Sequence, residues 1–147
     1  MEDRVREEWQ GRSVAVIGLG VSNVPLIRFL HRFGAKISGR DKASWEVLGE
    51  RARELEGLGI ELILGDSYLD GFDDYDVVFL TPGIPKNLPQ LAALVGKVEF
   101  SSEIALVLRY CPAPVFGITG SSGKTTTTTL VGEMFRRSGF TTYVGGN

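Results

Sequence analysis

Short apolar runs alternate with segments of helical apolar spacing over most of the chain. The runs are rich in β-branched and aliphatic residues, as in buried strands of a parallel sheet, and they occupy residues 13–18, 35–38, 60–64 and 75–80. Apolar residues at intervals of three and four predict helices over residues 25–33 and 44–57. Strands that alternate with helices favour right-handed crossovers, so the sequence predicts an α/β fold with a Rossmann-like parallel sheet covered on both faces.

The pattern changes late in the chain, where a second domain is predicted. A serine-capped helix over residues 101–110 leads to an apolar strand at 115–119. A glycine-rich turn, an amphipathic helix and a short strand at 140–144 follow. The predicted domains are therefore 1–95, which contains the Rossmann-like sheet, and 96–147, the first β-α-β part of an incomplete second domain.

Three loops follow predicted strands, at residues 18–23, 39–42 and 81–85. They would meet at one edge of the sheet, because the carboxyl ends of parallel strands lie together. The first, GLGVSN, offers N–H groups at a helix N-terminus, which suits a diphosphate, although Asn23 replaces the third glycine of the dinucleotide fingerprint. In the second, Asp41 lies where an acidic side chain binds ribose hydroxyls, and in the third Gly83 lets a ligand approach the backbone. Together the loops predict a nucleotide or nucleotide-sugar site.

A separate glycine-rich loop, GITGSSGKT at residues 117–125, predicts a phosphate cradle. Its glycines are offset from the strict pattern, but residues 120–123 can turn successive N–H groups inward and Lys124 can reach the β- and γ-phosphates of ATP. The Thr125 hydroxyl can bind Mg²⁺, whose site commonly includes a carboxylate as well. The only acid after the loop is Glu133, inside the predicted helix. The chain is therefore expected to be a fragment of a longer enzyme.

Composition and charge argue against several classes of partner. The 16 Lys and Arg residues against 18 Asp and Glu build no basic field for nucleic acid or an anionic membrane. A single cysteine and a single histidine cannot form an internal disulfide or a His/Cys zinc set. No apolar run approaches the roughly 18 residues that span a bilayer, and the charged start lacks a signal-peptide core. We expect a soluble, cytoplasmic protein without nucleic-acid or membrane partners.

Five segments together resemble the Mur ligase family over essentially the whole chain: VAVIGLGVSN, GAKISGRD, FLTPGIP, FGITGSSGKTTTTTLVGEM and YVGGN. The offset-glycine form GITGSSGKT is typical of the folylpolyglutamate and Mur ligase superfamily, and GLG combined with VGGN resembles its D-glutamate-adding type. The resemblance implies a three-domain enzyme with a UDP-binding domain, a central ATPase domain and a domain for the incoming amino acid. It also implies that ATP converts the carboxylate of UDP-N-acetylmuramoyl-L-alanine to an acyl phosphate, which the amine of D-glutamate attacks during peptidoglycan precursor synthesis.

The resemblance further implies roles for individual residues. Lys124 would be catalytic, because it would stabilise charge on the transferring phosphoryl group, and Thr125 would bind Mg²⁺. The residues that would hold ATP are Gly120, Ser121, Ser122, Gly123, Lys124, Thr125 and Thr126. The residues that would hold the UDP part of the substrate are Gly18, Gly20, Val21, Ser22, Asn23, Asp41, Lys42, Thr81, Pro82, Gly83 and Asn147.

Two other interpretations stay open. A nicotinamide-dependent oxidoreductase would use GLGVSN and Asp41, although it leaves the phosphate loop unexplained. A non-catalytic nucleotide sensor would bind at both loops and catalyse nothing. As a ligase fragment, the chain is expected to be inactive by itself, since the D-glutamate site and the remaining metal ligands would lie beyond Asn147. Its incomplete second domain is expected to self-associate through residues after about 115.

Overall fold

A computed structural model describes residues 2–72, 74–81, 83–85 and 87–145 of the chain. It divides into two compact units, Met1–Tyr110 and Cys111–Asn147. The helices of the first unit are α1 (Glu2–Trp9), α2 (Asn23–Arg32), α3 (Trp45–Leu48), α4 (Glu50–Gly57), α5 (Pro89–Ala92) and α6 (Glu103–Tyr110). Its strands are β1 (Ser13–Ile17), β2 (Lys36–Asp41), β3 (Glu61–Leu64), β4 (Val77–Leu80) and β5 (Glu99–Ser101).

The strands of the first unit form one parallel sheet in the order β3-β2-β1-β4-β5. In its register, Ile17 of β1 lies beside Arg40 of β2 on one side and Leu80 of β4 on the other. Helices alternate with these strands along the chain. The predicted α/β class with a Rossmann-like parallel sheet is therefore confirmed.

Both faces of the sheet are covered, as the alternation of side chains along a strand requires. On one face, side chains such as Val16 and Phe79 pack with residues of α1, α2, α4 and α6. On the other, Ile17 and Leu80 pack with Leu69, which ends a 3₁₀ helix (Gly65–Leu69), and with residues around α5. The prediction of a sheet buried on both sides is confirmed.

Helix α1 was not predicted, because its segment is mostly charged. Its two apolar residues, Val5 and Trp9, lie four positions apart on one face and are both buried. The Trp9 indole Nε1–H donates to Tyr110 Oη at 2.7 Å, and that hydroxyl in turn donates to the Glu8 carboxylate. Burial raises the pKa of the Tyr110 phenol, and the bond to Glu8 adds to the rise. These contacts join the first and last helices of the unit.

The structure corrects two predicted element bounds. The helix predicted over residues 44–57 is interrupted at Gly49, whose φ of 56° lies in the left-handed region, so it forms α3 and α4. Strand β2 continues to Asp41 and includes Gly39 and Arg40, which were predicted to lie in a loop. A Cβ at Gly39 would lie 3.0 Å from a methyl carbon of Leu62, so the absent side chain lets the strand pass between packed residues.

The first unit also continues further than the predicted boundary near residue 95. Strand β5 pairs with β4, and Leu106 of α6 is buried in the main apolar cluster. The compact unit therefore ends at Tyr110. The short strand β5 was missed because its three residues carry too little periodicity to predict an element.

The second unit is organised around one helix, α7 (Lys124–Arg137). The strands predicted at 115–119 and 140–144 are not formed, because a strand needs a hydrogen-bonded neighbour and none pairs with these segments among the described residues. Instead, both segments pack on the helix. The rings of Phe116 and Phe140 lie 5.4 and 5.8 Å from that of Phe135.

Several apolar side chains of the second unit are exposed, including Phe116, Met134 and Phe140. Self-association through this unit stays a prediction. Of the helices in the described ranges, none combines the length and the apolar character needed to cross a bilayer.

Candidate functional site

The three predicted loops meet at one edge of the sheet, as expected. The Gly18 N–H donates to the Arg40 carbonyl at 2.7 Å, and the Thr81 N–H donates to the Ile17 carbonyl at 3.3 Å. These bonds join the ends of β1, β2 and β4 side by side. Residues far apart in sequence are thereby brought to one place.

A cleft of about 270 Å³ lies at this edge. Its lining comprises Gly18, Asp41, Lys42, Tyr68, Thr81, Gly83 and Ile84. All three predicted loops contribute to it. The cleft is slightly smaller than the roughly 300–1,000 Å³ typical of sites for drug-sized ligands, so it is of a size for a nucleoside rather than for a whole nucleotide-sugar.

The start of the first loop requires glycine at position 18. Gly18 has a φ of 91°, which L side chains rarely adopt, and a Cβ there would lie 2.8 Å from both Cγ2 and Oγ1 of Thr81. The close approach of the two loops therefore depends on the missing side chain. At Gly20, by contrast, an added Cβ would meet nothing within 4 Å.

Asn23, which replaces the third fingerprint glycine, anchors the same loop. It is the first residue of α2 and is buried. Its Nδ2 donates to the Gly18 carbonyl at 2.6 Å, so the side chain closes the loop with a hydrogen bond where glycine would leave the carbonyl without this donor. Val21, near the tip of the loop, is exposed.

Asp41 holds the first two loops in shape. Its Oδ2 accepts from the Leu19 N–H at 2.6 Å and its Oδ1 accepts from the Ala43 N–H at 2.8 Å. Each carboxylate oxygen can accept a further hydrogen bond, so the side chain can organise the loops and still receive a donor from a ligand.

Sequence reasoning missed two residues at this edge. Arg51, on α4, donates from Nη1 to the Leu19 carbonyl at 3.0 Å, and Tyr68, in the 3₁₀ helix after β3, lines the cleft. Neither belongs to a recognisable motif, so only the fold brings them to the loops. Arg51 lies on a helix face that is otherwise solvated, so its sequence position did not distinguish it from a surface arginine.

The remaining predicted UDP-binding residues are not found in the described lining of the cleft. Gly20, Val21, Ser22 and Asn23 belong to the first loop and the start of α2, and they are not among the residues that line the cleft. Pro82 and Asn147 lie outside the described residues.

The predicted phosphate loop precedes α7 in the second unit. Gly123, with a φ of 75°, is the N-cap, and Lys124 is the first helical residue. Among the described residues, no acceptor takes a hydrogen bond from the N–H groups of residues 120–123. The Lys124 Nζ donates to the Gly120 carbonyl at 2.7 Å. A helix N-terminus with available amides and a nearby lysine is suited to phosphate groups.

The threonines after this lysine form the first helical turns. Thr128 Oγ1 donates to the Lys124 carbonyl at 2.8 Å and Thr129 Oγ1 to the Thr125 carbonyl at 2.9 Å. Thr126 lies in the first turn of the helix. Within the described ranges, His, Cys, Asp and Glu side chains form no group of three or more that could hold a metal ion.

Comparison with known proteins identifies relatives of this chain. UDP-N-acetylmuramoylalanine–D-glutamate ligase of Symbiobacterium thermophilum is 53% identical over 134 residues, which cover 90% of this chain and 30% of that protein. A protein of the same name from Clostridium botulinum strain Okra is 52% identical over 137 residues, 92% of this chain and 30% of its own length. The chain thus spans 30% of the length of these curated relatives.

No protein-family model matches the chain. Among solved structures, apo D-lactate dehydrogenase of Escherichia coli is similar over 91% of this chain and 53% of its own, with a TM-score of 0.47 and 21% identity.

The parallel sheet and the loops at its carboxyl edge place the chain among the α/β proteins with a Rossmann-like architecture. Identity above one half over nine-tenths of the chain is more specific than the fold. The chain is therefore a homologue of proteins named UDP-N-acetylmuramoylalanine–D-glutamate ligase, over 30% of their length.

Proposed function

We propose that this chain is the part of a UDP-N-acetylmuramoylalanine–D-glutamate ligase that holds the UDP end of UDP-N-acetylmuramoyl-L-alanine in its first unit and the phosphates of ATP in its second. The observation that carries the proposal is the convergence of three strand ends around one cleft of nucleoside size. The ligase name of the relatives supports the choice of substrate.

In the first unit, the substrate is proposed to lie across the edge of the sheet. The diphosphate would lie at the amides of Val21 and Ser22, at the start of α2, where the helix dipole favours negative charge. The uridine would lie in the cleft, where Asp41 and Lys42 can bind its polar groups and Gly83 lets the uracil approach the backbone. Asn147 is proposed to bind near the sugar-diphosphate.

In the second unit, the residues present fit a triphosphate. The amides of residues 120–123, which donate to no acceptor among the described residues, would bind phosphate oxygens, and Lys124 would leave the Gly120 carbonyl to pair with the β- and γ-phosphates. Thr125 would contribute its hydroxyl to Mg²⁺, which supplies positive charge to the phosphates when bound. The other metal ligands are proposed to come from ATP and from residues outside this chain.

The proposed reaction has two steps in the whole ligase. A carboxylate oxygen of UDP-N-acetylmuramoyl-L-alanine attacks the γ-phosphorus of ATP, and ADP leaves as the acyl phosphate forms. The amine of D-glutamate then attacks the acyl carbon, loses a proton and expels phosphate, which leaves an amide. Lys124 would stabilise the charge on the transferring phosphoryl group. This chain alone is expected to be inactive, with the D-glutamate site in the remainder of the protein.

Ligand titration tests the first unit. We expect UDP-N-acetylmuramoyl-L-alanine and UDP to raise the thermal midpoint of the chain, because a ligand that binds only the folded state stabilises it. NADH should leave the midpoint unchanged. A larger shift with NADH than with either uridine nucleotide would contradict the proposal and favour a nicotinamide-dependent protein.

Replacing Lys124 by alanine tests the second unit. The substitution removes charge-assisted hydrogen bonds, so the affinity for Mg-ATP should fall about 10- to 150-fold, measured by calorimetry at millimolar nucleotide. Lys97→Ala, at an exposed lysine of the first unit, is the matched control and should bind as the unaltered chain does. Equal Mg-ATP binding by the Lys124 and Lys97 variants would remove the proposed role.

A further inference from the structure

Tyr68 is the aromatic residue in the described lining of the cleft. It lies in the 3₁₀ helix that follows β3, so a fourth strand end contributes to a site for which the sequence predicted three. Its side chain is partly buried against the apolar cluster that contains Ile17 and Leu80, the last residues of β1 and β4. An aromatic side chain supported by the core therefore forms one wall of the cleft.

The backbone at Tyr68 is held in place from the interior of the sheet. Arg40, only 1% exposed, points its guanidinium into the segment that carries Tyr68. Its Nη1 donates to the carbonyls of Tyr68 and Asp70, and its Nη2 donates to the Gly71 carbonyl at 3.0 Å. Because five N–H groups in a rigid fork can bind several acceptors at once, one buried side chain determines the path of the chain beside the cleft.

The charges around the cleft decide which end of a nucleotide lies beside Tyr68. Phosphates are drawn to the amides at the start of α2, whereas the opposite charges of Asp41 and Lys42, which both line the cleft, offset each other and give it no net attraction for phosphate. The uncharged base is then the part that enters the cleft. A volume of about 270 Å³ has room for a base with its ribose.

We propose that Tyr68 stacks on the base of the bound uridine nucleotide. This inference rests on the proposed function of the first unit. Stacking of a base on an aromatic side chain contributes affinity through the ring and not through the hydroxyl. Phenylalanine at this position should therefore replace tyrosine, whereas leucine should not.

Three variants of the full chain test the proposal: Tyr68→Leu, Tyr68→Phe and, as a control at an exposed tyrosine of the second unit, Tyr143→Leu. Calorimetry with UDP should show an affinity about 5- to 150-fold lower for Tyr68→Leu and nearly unchanged for the other two. Proton NMR of UDP at saturating protein should show upfield shifts of the uracil H5 and H6 signals from the ring current. The shifts should persist with phenylalanine and disappear with leucine.

The outcomes separate this inference from the proposal on which it rests. No UDP binding by the unaltered chain overturns both. UDP binding that Tyr68→Leu leaves within twofold overturns the stacking role alone. A Tyr68→Leu variant that loses affinity while bound UDP keeps its H5 and H6 shifts overturns it as well, because the residue would then act only on the shape of the loop.

Discussion

Replacing Arg40 by methionine is expected to lower the free energy of unfolding of the first unit by about 2–4 kcal/mol. Methionine fills similar space but donates no hydrogen bond, so the carbonyls of Tyr68, Asp70 and Gly71 lose their charged donor. The guanidinium also lies 4.4 Å from the centre of the Phe72 ring, and that cation–π contact is lost too. The loop beside the cleft should loosen before the sheet itself unfolds.

Denaturant unfolding monitored by tryptophan fluorescence measures this effect. Both tryptophans, Trp9 and Trp45, belong to the first unit, so their signal does not report on the second. Arg53→Met, at an exposed arginine of α4, is the matched control and should change the unfolding free energy by less than about 0.5 kcal/mol. If both variants unfold at the same denaturant concentration, the buried hydrogen bonds of Arg40 contribute nothing measurable.

Replacing Gly18 by alanine should lower the unfolding free energy by about 2–4 kcal/mol and abolish UDP binding. One part of the effect is the positive φ of 91° at Gly18, and the other is the 2.8 Å approach of the new Cβ to the Thr81 side chain. Since both residues line the cleft, any movement that relieves the contact changes its shape. Fluorescence-detected unfolding and UDP titration measure the two consequences.

A double-mutant cycle separates the two parts. Adding Thr81→Ala to Gly18→Ala removes the atoms that the new Cβ would approach, so the steric part should be recovered while the strain of the backbone remains. Gly20→Ala, in the same loop but with no atom within 4 Å of its new Cβ, should change stability little. Equal destabilisation by the Gly18 and Gly20 substitutions would refute the packing argument.

Much of the first unit could be predicted because its signals are local. Each main strand is a short apolar run and the first two crossovers have helical spacing, so the α/β class and the meeting of the strand ends followed from the apolar period and the order of the segments. The loop with Gly18 and the position of Asp41 followed from the same pattern. The roles of individual residues as nucleotide ligands stay predictions.

Other features could not be predicted because their partners lie far along the chain. Arg40 was placed in a loop, since a charged residue argues against a buried strand, yet carbonyls about 30 residues further on accept hydrogen bonds from both of its terminal nitrogens. Helix α1 was missed because its segment is mostly charged and the partners of Trp9 are distant in sequence: its ring lies 5.9 Å from that of Phe79, and its indole N–H donates to Tyr110. The strands predicted beside the phosphate loop are not formed, since apolar character does not supply a pairing partner.

The sequence by itself determined the parallel sheet, the edge at which its loops converge and the glycine-rich start of α7. Those features depend on spacing within short segments, which the order of residues specifies directly. Only the tertiary structure decided that Arg40 is buried and that Tyr68 forms a wall of the cleft. It also decided that position 18 must lack a side chain, because the Thr81 side chain lies against it. These depend on which distant backbone atoms come within hydrogen-bonding or van der Waals distance, and that is set by the packing of the whole unit.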